Sequence, residues 1–525
     1  MGRLTDAWGV LRGRKAAVVP VAKSPSTPHR RSGRGQRSYE GAGLGRADSW
    51  LGDSMDANAE ITRDLLRLRM RSRDLVQNNP YARRIVDALV NAIVATGIRP
   101  TVDTGDPALD AEVYRLWDAW GKTPVRGSTI TAYGLQALMC RSMLVDGEAL
   151  ARIRPTYPTD VQLGTPPLRI QPIESDHLPV DLNKAVGLNR VVAGVEYDAV
   201  GEKVALHLYK EHPGSQGLWG MSASLETVRV PAESVIHAYR TERPGQVRGV
   251  PVLSPVILAL WDLAGYEEAI LVGTRAAATL VATVTGGSQD SPPDGIANEE
   301  DETGALATDG YGNPIEGLTP GTVIYAPDGK QVQIHTPQPP QGVQDFIVAH
   351  MRRLALGVGL SYHVLSGDMS DASFSQARLG LIEQSKNIAV WREQVFNPAV
   401  NTPLWRAFVD ACVAAGLLPN MPALYDVRWS APKQQSADRL EEAKAAVLEM
   451  QAGIRSRSEI IEADGRDPDV VNAEIADDKE ERERLGIVSL GDLSQVSTSG
   501  VAQAIGNVLL SEPPLPGEEK TPKAA

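Results

Sequence analysis

The chain has 525 residues, which favours roughly three or four domains at about 150 residues each. Hydrophobic residues make up 42% and charged residues 22%, so the composition excludes wholesale disorder. Aromatic residues reach only 5%, so the core must be built mainly from aliphatic side chains, which favours helices. The net charge of −12 excludes tight binding to nucleic acid by bulk charge alone.

Charge is distributed unevenly along the chain. Residues 1–50 hold ten Lys or Arg against three acidic residues, a local charge of +7, which leaves −19 on the remainder. This segment is rich in Gly, Ser and Pro and lacks an apolar period, so it is predicted to be a flexible basic arm. Contact of the arm with an acidic neighbour or with nucleic acid is the alternative.

Two further features restrict where the protein acts. Cys140 and Cys412 lie in apolar stretches, so both are predicted to be reduced and buried, as suits a cytosolic setting. The most apolar long stretch, 251–284, contains Asp262, Glu267 and Arg275. Charges in the middle of the stretch argue against a membrane span, and none is expected.

The first part of the chain is predicted to be helical and then antiparallel. Helical periodicity runs from 54 to 98 with a second helix starting at Pro80, and further helices are predicted over 107–120 and 129–146. The period then changes to that of strands. The predicted strands are 148–154, 168–173, 191–197, 204–209, 228–231 and 235–240.

The second part returns to helices. One long helix of about 34 residues is predicted over 251–284, and another over 342–356, with a hairpin of 322–325 and 332–335 around Asp328-Gly329 between them. Helical periodicity resumes from 373 to 416, through Pro398. Three capped helices follow: one opens at Ser436, one has a Ser456–Glu459 capping box, and one begins at Pro468.

Catalytic motifs are not found. Gly121-Lys122-Thr123 has Leu116 where a phosphate-binding loop needs Gly, which argues against a packaging ATPase. The eight histidines are scattered, and two cysteines cannot supply a zinc site. Asp368, Asp371 and Glu383 could suit a two-metal nuclease, but a solvated loop or helix cap is favoured. No catalytic residue, metal or cofactor is therefore expected.

Several non-catalytic strings remain. Taken in their order and spacing, they resemble the lambda-like family of portal proteins of tailed bacteriophages over roughly residues 55 to 485. The most specific string is Arg-Pro-Gly-Gln-Val-Arg-Gly at 243–249. The other strings lie at 71–82, 117–120, 146–148, 173–177, 237–240, 318–321, 357–362, 365–368 and 373–378.

The resemblance implies a mainly helical α+β portal fold with wing, stem, clip and crown, assembled as a ring around a central channel. The implied divisions are the arm (1–50), wing (51–250), first stem helix (251–285), clip with its small β-hairpin (286–341), second stem helix (342–360), channel loop, channel-lining helix and return to the wing (361–433), crown (434–490) and flexible C-terminal tail (491–525).

The resemblance also implies partners. The ring is usually a homododecamer at one capsid vertex of the virion, assembled in the host cytoplasm. The large terminase subunit is expected at the clip, the major capsid protein and scaffold at the wing, and head-tail connector proteins on the completed head. Double-stranded DNA would pass through without sequence specificity during packaging and ejection.

The site residues implied by the resemblance fall into three groups. The candidates for the channel loop, expected to face the bore, are Asp368, Met369, Ser370, Asp371 and Ser373. The candidates for the channel-helix motif are Phe374, Ser375, Gln376, Ala377 and Arg378, where the family usually has Tyr at the first position and Ser at the third. The candidates for the stem base and subunit contacts are Arg240, Arg243, Gly245, Gln246, Arg248 and Gly249.

Alternatives stay open for these groups and for the whole chain. The three arginines of the stem base could form salt bridges between subunits, which a fixed turn entering a helix favours, or they could touch DNA. The chain could also be a minor head protein that only scaffolds assembly, or a terminase-like or nuclease-type enzyme.

Overall fold

The computed structural model describes residues 55–156, 165–215, 225–278, 281–285, 331–335, 342–368, 374–432, 439–464, 466 and 468–485. The chain divides into two units, Met1–Met55 and Asp56–Ala525, and all described residues except Met55 belong to the second.

Helices dominate the described residues. They are α1 (Ala57–Asn78), α2 (Pro80–Ile93), α3 (Pro107–Gly121), α4 (Ala132–Asp146), α5 (Ile257–Ala278), α6 (Val343–Val358), α7 (Tyr362–Ser366), α8 (Phe374–Val390), a π-helical segment (Trp391–Asn401), α9 (Thr402–Ala414), α10 (Arg439–Gln451), α11 (Arg457–Ala463) and α12 (Pro468–Leu485).

The strands form antiparallel sheets. They are β1 (Arg99–Val102), β2 (Glu148–Pro155), β3 (Leu168–Ile173), β4 (Lys184–Val186), β5 (Asn189–Val192), β6 (Val195–Tyr197), β7 (Lys203–Tyr209), β8 (Thr227–Pro231), β9 (Val235–Tyr239), β10 (Val281–Thr285), β11 (Gln331–His335) and β12 (Val427–Ser430). One sheet has the order β3-β2-β9 and another β4-β5-β6-β7-β8, while β1 pairs with β12 and β10 with β11.

Two hydrophobic cores hold these layers together. The larger core joins the helices to one face of the three-stranded sheet, and the smaller one lies between the three-stranded and five-stranded sheets. Leu150 of β2 and Val235 of β9 meet Leu206 and Val230 of the larger sheet in the smaller core. The predicted mainly helical α+β class is therefore confirmed.

An aromatic cluster marks the centre of the larger core. Trp117 and Trp120 of α3 pack against Trp405 and Phe408 of α9, with ring centroids 5.1 to 5.6 Å apart. Two buried indole N–H groups are bonded: Trp120 donates to the carbonyl of Leu168 at 3.0 Å, and Trp405 donates to that of Tyr425 at 2.9 Å. This pair of helices joins an early part of the chain to a late part.

Local signals in the sequence are confirmed at several helix ends. Pro80 and Pro107 open α2 and α3. At α11 the Ser456 hydroxyl accepts from the Glu459 amide at 3.1 Å, and the Ser456 amide donates to the Glu459 carboxylate at 3.0 Å. Such pairs of bonds satisfy amides that the helix itself leaves unbonded.

The long helix predicted over 251–284 is shorter than expected. Residues 251–256 form turns, α5 spans Ile257–Ala278, and Val281–Thr285 is a strand. The strand is rich in Val and Thr, whose branched Cβ atoms favour extended backbone. No Gly or Pro separates α5 from this strand in the sequence, so the apolar pattern alone predicts one continuous helix.

The predicted hairpin is described only in part. Its second strand exists as β11, but β11 pairs with β10, with Val284 opposite Val332. The predicted partner, 322–325, lies outside the described residues. The strand predicted over 191–197 divides in two, because Ala193 and Gly194 both have positive φ, 48° and 82°, and turn the chain there.

The helical run predicted through Pro398 is confirmed, with a change of helix type. Residues Trp391–Asn401 form a π-helical segment that contains Pro398. Proline lacks an amide hydrogen and clashes with the preceding turn of an α-helix, and a wider turn removes that conflict. Phe396 and Val400 on this segment are buried, so the widened turns remain in the core.

Both cysteines are free and buried, as predicted. Burial raises the pKa of the Cys412 thiol to about 12 and also raises that of Cys140. Both are therefore neutral thiols at physiological pH. No helix in the described part of the chain combines the length and apolar character that crossing a bilayer requires.

Replacing Phe408 by alanine should destabilise the protein by about 3–5 kcal/mol, because the ring is fully buried and leaves a cavity between tryptophans. Urea unfolding followed by tryptophan emission measures this loss, since Trp117, Trp120 and Trp405 surround the site. Leu188→Ala is the control, because Leu188 is 91% exposed. Equal midpoints for the two variants would contradict the assigned core.

Candidate functional site

Five of the strings noted in the sequence, at 71–82, 146–148, 173–177, 237–240 and 243–249, meet at one buried ionic network. Helix α4 ends at Gly147, whose φ of 89° turns the chain directly into β2. Glu148, the first residue of β2, is thereby placed inside the protein, with its side chain fully buried. A buried carboxylate is costly unless charged groups and hydrogen bonds surround it.

Glu148 receives three partners from three different elements. Arg69 of α1 donates from Nη2 to Oε1 at 2.9 Å. Arg248 donates from Nε to Oε2 at 2.8 Å, and its Nη2 bonds Oε1 as well. His237 of β9 contacts Oε2 through Nε2 at 3.0 Å. Arg69, Arg248 and the His237 side chain are all nearly inaccessible to solvent.

The remaining donors of Arg248 are also bonded. Its Nη1 donates to the carbonyl of Ala193 at 3.0 Å, and its Nη2 donates to the carbonyl of Leu178 at 3.1 Å. Both acceptors belong to the part of the chain around the five-stranded sheet. A single guanidinium therefore ties that sheet to the carboxylate on β2.

A second group of charges adjoins the first. Arg73, one turn after Arg69 on α1, makes a two-point contact with the Asp146 carboxylate at 2.7 and 2.8 Å. It also donates to Asp176 at 2.5 Å. The hydroxyl of Ser175 donates to the Glu148 carbonyl at 2.8 Å. The three arginines thus face three carboxylates in the interior, and the exposed Glu174 lies 3.8 Å from Arg73 at the edge.

Burial and the neighbouring charges act in opposite directions on the acids. Burial alone would raise the pKa of Glu148, but Arg248, the His237 hydrogen bond and Arg69 together hold that pKa well below its usual value. Arg69 and Arg73 likewise outweigh burial and lower the pKa of Asp176. Burial lowers the pKa of His237, so a neutral imidazole donates its Nε2 hydrogen to the carboxylate.

The turn before Arg248 is held by the Gln246 side chain. Gln246 accepts from the amides of Glu242 and Arg243 at 2.8 and 3.1 Å, and it donates to the carbonyls of Arg240 and Arg248 at 3.2 and 2.7 Å. All hydrogen-bonding capacity of the buried amide is used, so the turn has one preferred shape.

Side chains at the start of α1 form hydrogen bonds and an ion pair with the same turn. The Asn58 side chain donates to the Gly245 carbonyl at 2.9 Å and accepts from the Val247 amide at 2.9 Å. Arg243 pairs with Glu60 at 2.7 Å, with both side chains about half exposed. Arg240 lies with its guanidinium carbon 4.9 Å from the ring centroid of Trp391.

Gly249 permits the close approach that completes the site. A Cβ atom at this position would lie 1.9 Å from the carbonyl oxygen of Gly147 and 2.6 Å from the Cβ of Tyr239. Only glycine fits between α4 and β9 here. The Gly147 and Gly249 backbones therefore meet directly beside the ion network.

The structure corrects the expectation for Arg248. A salt bridge between subunits was predicted, with DNA contact as the alternative, but the partner of Arg248 is Glu148 of the same chain and the guanidinium is 0% exposed. The turn is fixed, as expected, yet its last arginine points into the protein. Arg243 too has an acidic partner within the chain, Glu60.

The channel candidates are only partly described. Met369, Ser370, Asp371 and Ser373 lie outside the described residues, as do the side chains of Phe374, Ser375 and Ala377. Asp368 is partly exposed, and its carbonyl lies 3.1 Å from Nδ1 of His363. Gln376 and Arg378 are exposed on α8. Asp368 and Gln376 line one cavity with Arg352 and Glu383.

A possible metal-binding group lies at the edge of the ion network. Glu174, Asp176 and His212 could each offer one ligand atom. Two arginines already hold Asp176, and His212 contacts Glu174 at 3.1 Å through Nε2. The positive charge beside Asp176 makes this group an extension of the network.

Sequence reasoning noted the strings that contain Glu148 and Asp176 but assigned them no role, and it missed Arg69. One signal was available. Glu148 comes directly before the apolar run Ala149-Leu150-Ala151, and Arg69 lies within a leucine-rich helix, so both interrupt positions expected to be buried. The pairing itself spans 79 residues and has no local signature.

Comparison with known proteins gives one family. The model for phage portal proteins of the lambda family matches residues 44–392, a range that contains the whole ion network. The probable portal protein of Halomonas phage phiHAP-1 is 27% identical over 494 residues, which cover 88% of this chain and 90% of the relative.

Solved structures give weaker similarity. A chain from the neck of an empty gene transfer agent particle has a TM-score of 0.43 and 16% identity, and the match covers 77% of this chain and 94% of that one. An HK97 family phage portal protein from Corynebacterium diphtheriae has a TM-score of 0.32 and 10% identity, with 64% and 90% covered.

Replacing Glu148 by glutamine should cost about 3–5 kcal/mol at neutral pH, because two arginines lose their buried counter-charge. A carboxylate whose pKa falls on folding contributes stability above its unfolded pKa of about 4.5 and loses it as the pH falls through the folded value. The difference from the wild type should therefore narrow below about pH 4.5. Urea unfolding between pH 7 and pH 3 measures it.

The control for this experiment is Glu112→Gln, because Glu112 pairs with Arg115 at 2.6 Å on the surface. Solvent screens such a pair, so the control should lose far less stability. Equal losses for the two variants, or a Glu148→Gln difference that does not change with pH, would contradict the role given to Glu148.

Proposed function

The chain belongs to the lambda family of phage portal proteins, and on this premise we propose that copies of it close into a ring, of twelve subunits as is usual in the family. The ring stands at one capsid vertex of the virion, and DNA enters and leaves through its channel. Such a role is structural and needs no catalytic group from the chain itself.

One observation carries the assembly proposal. Helix α5 exposes large apolar side chains along one face: Leu258 is 69% exposed, Trp261 67% and Val272 57%. Their spacing, with Gly265 between them, follows a helical stripe. A run of exposed apolar side chains on one helix marks a surface that another protein covers.

A second apolar surface offers a complement. On α8, Leu379 is 67% exposed, Ile382 44% and Val390 50%. A ring is made by one surface of a subunit meeting a different surface of the next, so two distinct apolar surfaces are what closure requires. In this proposal α5 of one copy packs against α8 of its neighbour.

The proposed parts of the subunit follow the observed elements. The wing holds α1 to α4 and the sheets up to β9, the stem holds α5 and α6, and the clip holds the segment between them, with β10 and β11 at its base. The crown holds α10 to α12. Large terminase would dock at the clip, capsid protein and scaffold at the wing, and connector proteins on the finished head.

The proposed channel suits an acidic chain. Many Lys or Arg contacts to phosphate would bind DNA tightly and resist its movement. The short polar residues of the loop after α7, namely Asp368, Ser370, Asp371 and Ser373, are proposed to face the bore together with Met369. The motif at 374–378 would continue the lining along α8.

The variant with Leu258→Asp and Trp261→Asp should fail to form rings yet fold normally, because both side chains are exposed in the single subunit. Size exclusion with light scattering should give about twelve times 56.4 kDa for the wild type and a far smaller mass for the variant. The control is Leu188→Asp, an exposed site off both helices. A variant that still forms full rings would contradict the interface.

The variant with Asp368→Lys and Asp371→Lys should form rings but yield fewer DNA-filled heads, because added cations bind the passing phosphates. The yield of filled heads and the salt dependence of DNA release measure this. The matched control is Asp477→Lys with Asp478→Lys, at exposed positions of α12. Filled heads at wild-type yield with unchanged release would count against a loop in the bore.

A further inference from the structure

A small cationic cavity lies between the three-stranded and five-stranded sheets. Its volume is about 180 Å³. Strands β2, β3, β7 and β8 form its walls, with the turn at His177. The lining residues that the argument uses are Arg152, Arg154, Gln171, His177 and Lys210, and no described residue of the lining is acidic.

Two arginines line this cavity without a described counter-charge: Arg152 is half-buried and Arg154 is exposed. Arg152 and Arg154 are two residues apart on β2, so their side chains leave the same face of the sheet. Arg154 donates from Nε to the Gln171 side chain at 2.9 Å. The Nε of Arg152 is buried and has no hydrogen-bond partner. No described carboxylate forms an ion pair with either guanidinium.

This arrangement contrasts with the ion network nearby. In that network, three arginines meet three interior carboxylates. In the cavity, no described carboxylate pairs with Arg152, and burial and the charge of Arg154 both lower the pKa of Arg152. Two other polar side chains of the lining are already bonded: Lys210 contacts Glu226 at 2.6 Å, and His177 Nδ1 lies 3.1 Å from the Tyr209 carbonyl. The unmatched charge is therefore that of the two arginines.

We propose that this cavity, the Arg152 cavity, binds a single oxyanion group, a phosphate or a carboxylate, held by Arg152 and Arg154. Planar guanidinium groups suit such oxygens, and charge-assisted hydrogen bonds of this kind are stronger than neutral ones. The volume equals that of roughly six water molecules at about 30 Å³ each, enough for one such group and too small for a nucleic-acid duplex. The proposal does not depend on ring assembly.

Calorimetric titration of the full chain with sodium phosphate and, separately, with sodium acetate tests the proposal, against sodium chloride at matched ionic strength. Saturable binding of phosphate or of acetate is expected and identifies which of the two groups the cavity takes. Arg152→Gln or Arg154→Gln should weaken it at least about tenfold. Binding of neither anion, or an equal response to chloride, would overturn the proposal.

The charge-matched controls are the single variants Arg99→Gln and Arg190→Gln, at exposed arginines on β1 and β5. Each should bind as the wild type does. A loss of binding equal to that of the cavity variants would overturn the proposal, because the anion would then respond to net charge alone.

Two further measurements test whether Arg152 already has an acidic partner within the chain. Without ligand, Arg152→Gln should unfold at the same temperature as the wild type or higher, because it removes an unmatched charge; a marked loss would show that Arg152 already has a partner and would overturn the proposal. The one acidic residue in the sequence of 157–164 is Asp160, so Asp160→Asn is the second measurement. If Asp160→Asn alone binds phosphate, the chain fills its own cavity and the proposal fails.

Discussion

The buried carboxylate of Glu148 is the interaction on which the rest of the fold depends. It lies where α4 turns into β2, and its partners come from α1, β9 and the turn at 248. A buried charge that loses one partner leaves another uncompensated, so the elements cannot separate one at a time without large cost. The helical layer and both sheets are thus coupled through one side chain.

The backbone geometry around this carboxylate explains why the characteristic strings of the sequence lie so far apart. The arginines sit on α1 and after β9, the acids end α4 and follow β3, and two glycines let the chain segments touch. Each buried charge in this network needs its partners to be present. The 243–249 string places the Arg248 guanidinium and Gly249.

Much of this fold could be predicted from local pattern, and the failures have a common physical cause. Helices with proline starts or capping boxes are predicted correctly because their signals lie within a few residues. The end of α5 was missed because Val281–Thr285 finds its partner only at Gln331–His335. Arg248 was expected at a subunit contact because its acidic partner lies 100 residues away. Long-range pairing has no local signature.

Charge sets the remaining constraint on assembly. Each subunit carries −12, so a ring places many acidic chains side by side. Charges beyond about 8 Å are largely screened at physiological salt, but those inside an interface are not. An interface of acidic surfaces alone would therefore repel, whereas the exposed apolar residues of α5 and α8 supply contacts that do not depend on charge. Charges are also balanced in the interior of the protein. The three arginines of the buried network face three acids, so their charges cancel. Among the described residues, the Arg152 cavity is the exception to this balance of charge. A bound anion, as proposed, would neutralise its excess positive charge.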